Sequence, residues 1–275
     1  MTAVSQNIPR LDAVPSGVAG QSTASTIRIY LREAKYELIK LLRLPAFFIP
    51  SLGFPMMFYA LFGLVLPVKT GAYPIATYLL GTYGAFGVIG IALFSLGIGV
   101  STERAQGWLA VKRASPMPLP AYFFGKYAMT VIMSGLLVTL LSLMGAIFGD
   151  VRLEVSQWVS LMLVLILGAV PFCAAGIAVA YLVGPNSAPA VVNAVYLPSA
   201  FLSGLFIPVE MLPSFLRSVA QFLPPFHLGR LALGAIGVAP AEKAWVHIAA
   251  LASFGVLFTA VAVFAYRRDE GATYG

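Results

Sequence analysis

The chain has 275 residues, 60% of them hydrophobic, with 17 Lys and Arg against 10 Asp and Glu and a net charge of +7. Soluble domains carry roughly a quarter charged residues; the 10% found here leaves too little polar surface for a water-soluble globule and suits a chain solvated by lipid. The basic excess then reads as charge flanking membrane spans rather than as a nucleic-acid surface.

Residues 1–24 are rich in Ser, Thr, Ala, Gly and Pro and lack an apolar core with a cleavage pattern behind it, so they read as a flexible tail, not a signal peptide. Over 25–43 the period changes. Ile27, Tyr30, Leu31, Ala34, Leu38, Leu41 and Leu42 fall on one helical face, with Arg28, Arg32, Lys35, Lys40 and Arg43 opposite and Glu33 and Glu37 at the edge. A basic amphipathic helix just before a span predicts a helix lying in the membrane interface.

Six apolar segments follow, at about 47–66, 75–101, 127–149, 158–183, 190–207 and 245–266. Each reaches the length a crossing needs, and none contains Asp, Glu, Lys or Arg. Pro50, Pro55, Pro171 and Pro198 are expected to kink these spans. Gly81, Gly84, Gly87 and Gly90 are expected to let helices approach closely. With the N-terminus inside, 12 Lys and Arg fall on the cytoplasmic side (Arg10 to Arg43, Arg104 to Lys126, Arg267, Arg268) and five outside (Lys69, Arg152, Arg217, Arg230, Lys243). The positive-inside rule thus places both termini in the cytoplasm, with 269–275 as a second tail.

Two loops are more than connectors. The inner loop 102–126 opens with a helix-compatible stretch, Glu103 to Ala114, and closes with Pro116, Pro118 and Pro120, which should stop the helix. It reads equally as a docking element or as a solvated positive-inside loop. The outer segment 208–244 is too apolar for a water-exposed loop, and Pro224 and Pro225 divide it into stretches of about 214–223 and 226–237. Two half-length helices dipping into the outer leaflet fit better than a seventh, broken span, which would put Arg267 and Arg268 outside.

The chemistry is defined by what the sequence lacks. No phosphate-binding G-x-x-x-x-G-K-[ST] is present, and no G-x-S-x-G elbow or plausible triad order. The spans offer an ion-coupled carrier only His247, near a membrane end; Asn193 reads as an interhelical hydrogen bonder. His227 and His247 have no thiols or carboxylates around them and read as packed or interfacial, not metal ligands, and the single cysteine, Cys173, excludes an internal disulfide. Energy supplied by another subunit is the reading that remains.

The amphipathic helix, the six spans and the loop residues Glu103, Gly107, Trp108, Leu109, Arg113, Ser115 and Pro116 resemble the ABC-2 type permeases of ABC exporters, as does 203–213, SGLFIPVEMLP, with HLGRLALG beyond it. Trp108 is similar to the subgroup containing drug-resistance permeases. The resemblance implies an all-α integral membrane protein of the bacterial plasma membrane, its transmembrane domain spanning 44–268. It implies a pair of permease chains, a homodimer or heterodimer, each binding a nucleotide-binding ATPase that holds ATP and Mg while this chain binds no cofactor. The 103–115 helix would be the coupling helix, with Glu103, Arg104, Gly107, Trp108, Leu109, Lys112, Arg113 and Pro116. Arg28, Arg32, Lys35, Glu37 and Lys40 would flank it from the interfacial helix. Pro208, Glu210, Pro213, Pro224 and Pro225 would mark an outer gate, over a substrate path lined by spans one, two and five. The expected cargo is hydrophobic or amphipathic: a drug, a lipid or a lipid-linked glycan. A membrane scaffold without transport and a stand-alone secondary carrier are the alternatives.

Overall fold

A computed structural model describes residues 23–65, 74–114, 117–238 and 243–274. The tail 1–22, Lys69 and Ser115–Pro116 lie outside them, as does the side chain of Arg113. Every regular element among the described residues is helical. Among the described residues, five helices are long and apolar enough to cross a membrane: Phe47–Val65, Ile75–Ala105, Leu119–Phe148, Val155–Leu182 and Ala244–Asp269.

The amphipathic segment forms α1 (Thr23–Leu42). The first span begins as α2 (Pro45–Phe58), whose Pro50 and Pro55 remove two N–H groups from the ladder, and continues as a π-helix over Tyr59–Val65. The second span runs through α3 (Ile75–Leu93), a π-helical turn at Phe94–Ile98 and α4 (Gly99–Ala105). It is the most enclosed element, and its glycines are the reason. A Cβ at Gly87 would stand 2.2 Å from Leu137 and 2.9 Å from Pro55, so only glycine lets these helices meet.

The stretch expected as one helix from Glu103 to Ala114 is two. Gly107 takes φ +75, a left-handed conformation that ends α4 and starts α5 (Trp108–Ala114) in a new direction. Pro118 caps α6 (Leu119–Phe148), and Pro120 lies in its first turn, where no N–H is needed. The fourth span is interrupted at Ala169, before Pro171, between α7 (Val155–Gly168) and α8 (Val170–Leu182). The segment expected at 190–207 forms α9 (Ala188–Leu202), which at 15 residues rises about 22 Å. It is cut short by Gly204 at φ +77.

The segment 208–238 contains a 3-10 turn at Val209–Met211, α10 (Ser214–Ala220) and α11 (Pro224–Ala235). α12 (Ala244–Tyr274) carries the last span and continues as helix where a tail was expected. A Cβ on Gly81 would touch Ile236 and Leu233. α11 thus packs on the start of α3, about 33 Å by helix rise from Glu103.

Candidate energy-coupling site

The two glutamates at the edge of the charged face of α1 turn inward, and packing explains it. A Cβ at Gly125 of α6 would lie 2.9 Å from Glu33 Cγ and 3.3 Å from that residue's backbone carbon. The two helices therefore touch backbone to side chain there. This contact carries the stripe Glu33, Glu37 and Leu41 into the protein and leaves Ile27, Leu31 and Leu42 exposed. Arg28, Arg32 and Lys35 are exposed on α1 as well.

The buried glutamates meet three lysines. Lys126 Nζ donates to Glu37 Oε2 at 2.7 Å and to Glu103 Oε1 at 2.6 Å. Tyr122 Oη donates to Glu103 Oε2 at 2.6 Å. Lys40 of α1 also pairs with Glu103, and Lys112 of α5 with Glu33, standing 3.6 Å from Glu37 as well. The Lys112 ammonium lies 4.4 Å from the Tyr122 ring centroid, a cation–π contact. Three carboxylates and three ammonium groups thus tie α1, α4, α5 and α6 into one electrically neutral cluster.

Its burial sets its worth. The side chains of Lys126, Glu103 and Glu37 are 3%, 6% and 7% exposed. Desolvation offsets much of the attraction in such a pair, but losing one partner costs about 3–5 kcal/mol, because the other charge is stranded. Lys126 and Glu103 also lie within span-length helices. The expectation that the spans are free of charge holds only for the narrower bounds read from sequence; α4 and α6 extend past them.

Arg104 faces away from this cluster. It donates to the carbonyls of Tyr181 (3.3 Å) and Val183 (3.0 Å) and pairs with Asp269 at 3.1 Å. The end of the second span is thereby fastened to α8 and α12. On α5, Leu109 is buried, whereas Trp108 and Val111 are 54% and 61% exposed. Glu37, Lys40, Glu103, Lys126, Phe94 and Ser95 line a cavity of about 350 Å³ between α1, the second span and α6.

At the other end, Glu210 pairs with Arg230 at 3.2 Å. Pro208 precedes the 3-10 turn, Pro213 precedes α10, and Pro224 and Pro225 open α11. The two Nδ1 atoms of His227 and His247 are 2.9 Å apart, so one ring donates to the other. This pairing joins α11 to α12. Asn193, expected to bond between helices, donates instead to the Pro189 carbonyl one turn back on exposed α9. Among the described residues it is exposed, with no helix packed over it.

Sequence reasoning missed Tyr122, Lys126 and Asp269. A signal for the first two existed: Glu33 and Glu37, spaced i, i+4, stand as like charges on one face of α1 and repel unless cations face them.

The chain is 28% identical over 247 residues to the putative transport permease YvfS of Bacillus subtilis (strain 168), covering 89% of this chain and 99% of that one. The sequence model of the ABC-2 type transporter family matches residues 32–236, from within α1 to the residue that follows α11. The chain belongs to the ABC-2 type transporter family, as a membrane subunit of a transporter.

Proposed function

We propose that this chain is the permease of an ATP-driven exporter, with α5 as the element that docks on a separate ATPase. The observation that carries the reading is the build of α5. It presents Trp108 and Val111 outward, while Lys112 roots it in a charged cluster shared with α1, α4 and α6. A push on α5 would reach the second and third spans through ion pairs without crossing a flexible joint. Six crossings, with α9 as the fifth, both termini in the cytoplasm and α10–α11 dipping into the outer leaflet complete the proposed topology. The exposed face of α9 around Asn193 and Leu197 suits a second permease copy.

An aromatic cluster supports hydrophobic or amphipathic cargo. Phe58, Tyr83, Phe86, Tyr196 and Phe206 come from the first, second and fifth spans or just beyond, with Phe86 centroids 4.8 Å from both Tyr196 and Phe206. Rings gathered there would close the path between spans and part when cargo passes. Reconstitution with a cognate ATPase subunit tests the proposal: candidate compounds should stimulate ATP hydrolysis and appear on the far side. Transport by the purified chain without any ATPase would overturn it.

One observation favours a secondary carrier, namely that Lys126 and Glu103 sit in span-length helices. All their charges are paired within the chain, which leaves none free to bind a coupling ion. Transport driven by a proton gradient and indifferent to ATP would establish the carrier instead.

A further inference from the structure

A groove of about 1100 Å³ lies between the fourth span, around its interruption at Gly168–Pro171, and α12. Its walls are almost entirely aliphatic, including Leu167, Pro171, Ala252, Gly255 and Val263, and Arg267 stands at one end. The groove shares no lining residue with the charged cluster or with the aromatic cluster described above.

We infer that this groove holds one acyl chain of an anionic phospholipid, its phosphate resting on Arg267. Length and charge both point to that occupant. The α12 wall of the groove runs from Arg267 to Ile248, a rise of about 28 Å, long enough to take an acyl chain that crosses the apolar depth of one leaflet, about 15 Å. A chain anchored at Arg267 therefore ends near Gly255. The neighbouring charges leave Arg267 available. Asp269, two positions on, is turned toward the protein by its pair with Arg104 at 3.1 Å, and Arg267 makes no ion pair among the described residues. Arg268 is exposed but does not line the groove. A neutral or zwitterionic lipid would fill the same walls, whereas a net negative head group matches the basic end of the groove. Only the name of the leaflet, the inner one, rests on the orientation proposed above.

Native mass spectrometry of the full-length chain, released from nanodiscs of equal phosphatidylglycerol and phosphatidylcholine, tests the inference without reference to transport. The wild type is expected to retain phosphatidylglycerol several-fold over its bulk share. R267Q should abolish that bias and R268Q should keep it. Gly255→Phe should lower the total lipid retained, since a Cβ there meets Pro171 at an ordinary 3.6 Å and leaves the ring pointing to the groove. Equal retention of both lipids by the wild type overturns the inference, and so does an equal loss of bias in R267Q and R268Q, which would mean diffuse attraction. A wild-type dimer that Gly255→Phe converts to monomer without changing retained lipid would assign the groove to a second copy and overturn it too.

Discussion

Lys126→Met tests the charged cluster directly, because Met keeps the length of the stem and removes only the ammonium. In the native chain that ammonium serves Glu37 at 2.7 Å and Glu103 at 2.6 Å, at 3% exposure. Its loss leaves Glu103 with Tyr122 and the half-exposed Lys40, and Glu37 with Lys112 at 3.6 Å. Because those partners remain, the expected cost is about 3 kcal/mol, at the lower end of the range for breaking a buried pair. Glu103→Gln keeps the shape, and Lys126 keeps Glu37, so the cost falls to about 2 kcal/mol, as for a charged hydrogen bond. The double variant is decisive. It removes one charge of each sign and leaves Glu33 and Glu37 against Lys40 and Lys112, still neutral. Its cost should therefore approach that of Lys126→Met alone, well below the sum. Hydrogen exchange of the α1 amides reads this as protection, where each 1.4 kcal/mol is tenfold. The expected losses are roughly 100-fold for Lys126→Met, about 30-fold for Glu103→Gln and about 100-fold for the pair. Losses that multiply toward about 3000-fold would show independent side chains and refute the idea of a single cluster.

Other variants probe the surroundings. Gly125→Leu should lift α1 from α6, because even a Cβ there lies 2.9 Å from Glu33; cysteine cross-linking between the two helices should fall while membrane insertion persists. Trp108→Ala, at a residue 54% exposed, should weaken co-purification with the ATPase by tenfold or more and leave the thermal stability of the isolated chain within about 0.5 kcal/mol. Burial lowers the pKa of His227 below the usual 6.5, so the neutral ring is favoured in the folded chain. The His227–His247 contact should be intact above pH 6.5 and lost as pH falls through the lowered value, with Arg230 nearby adding repulsion and Glu210 opposing it. Exchange of the α11 amides should rise over that interval, and His247→Gln should remove the step.

How much was legible follows from which forces act locally. Apolar runs and the amphipathic period of α1 are local signals, and the all-helical, membrane-spanning character of the chain emerged from them, although α6 begins eight residues before the expected 127 and α9 ends five before the expected 207. The break at Gly107 was readable in principle, since a glycine after a polar turn commonly ends a helix, but the run from Glu103 to Ala114 is otherwise helical in composition. The cluster was not readable because its members, Glu37, Glu103 and Lys126, are 66 and 23 positions apart and meet only once Gly125 sets the approach of α1 to α6. Reading Lys126 as loop charge had the same cause. Positive-inside counting assigns a lysine by its neighbours in sequence, whereas α6 begins seven residues earlier, at Leu119.

An ionic junction differs from an apolar one in how it responds to force. Apolar surfaces have no fixed register beyond shape, so a helix resting on lipid-like contacts can shift by small amounts at small cost. A set of buried carboxylates and ammonium groups must exchange partners to shift, and intermediate positions strand a charge. Such a junction has discrete arrangements, which is what transmission between distant sites requires. Here the junction joins α5, with its exposed Trp108, to α4 at the foot of the second span, the element whose far end packs against α11. The same span carries a π-helical turn at Phe94–Ile98, a local departure from α-helical hydrogen bonding that lets a helix bend or change register. A rigid attachment at one end, a deformable turn in the middle and the packing face for α11 at the other lie on one continuous stretch of chain, from Ile75 to Ala105, which is the arrangement the proposed coupling needs.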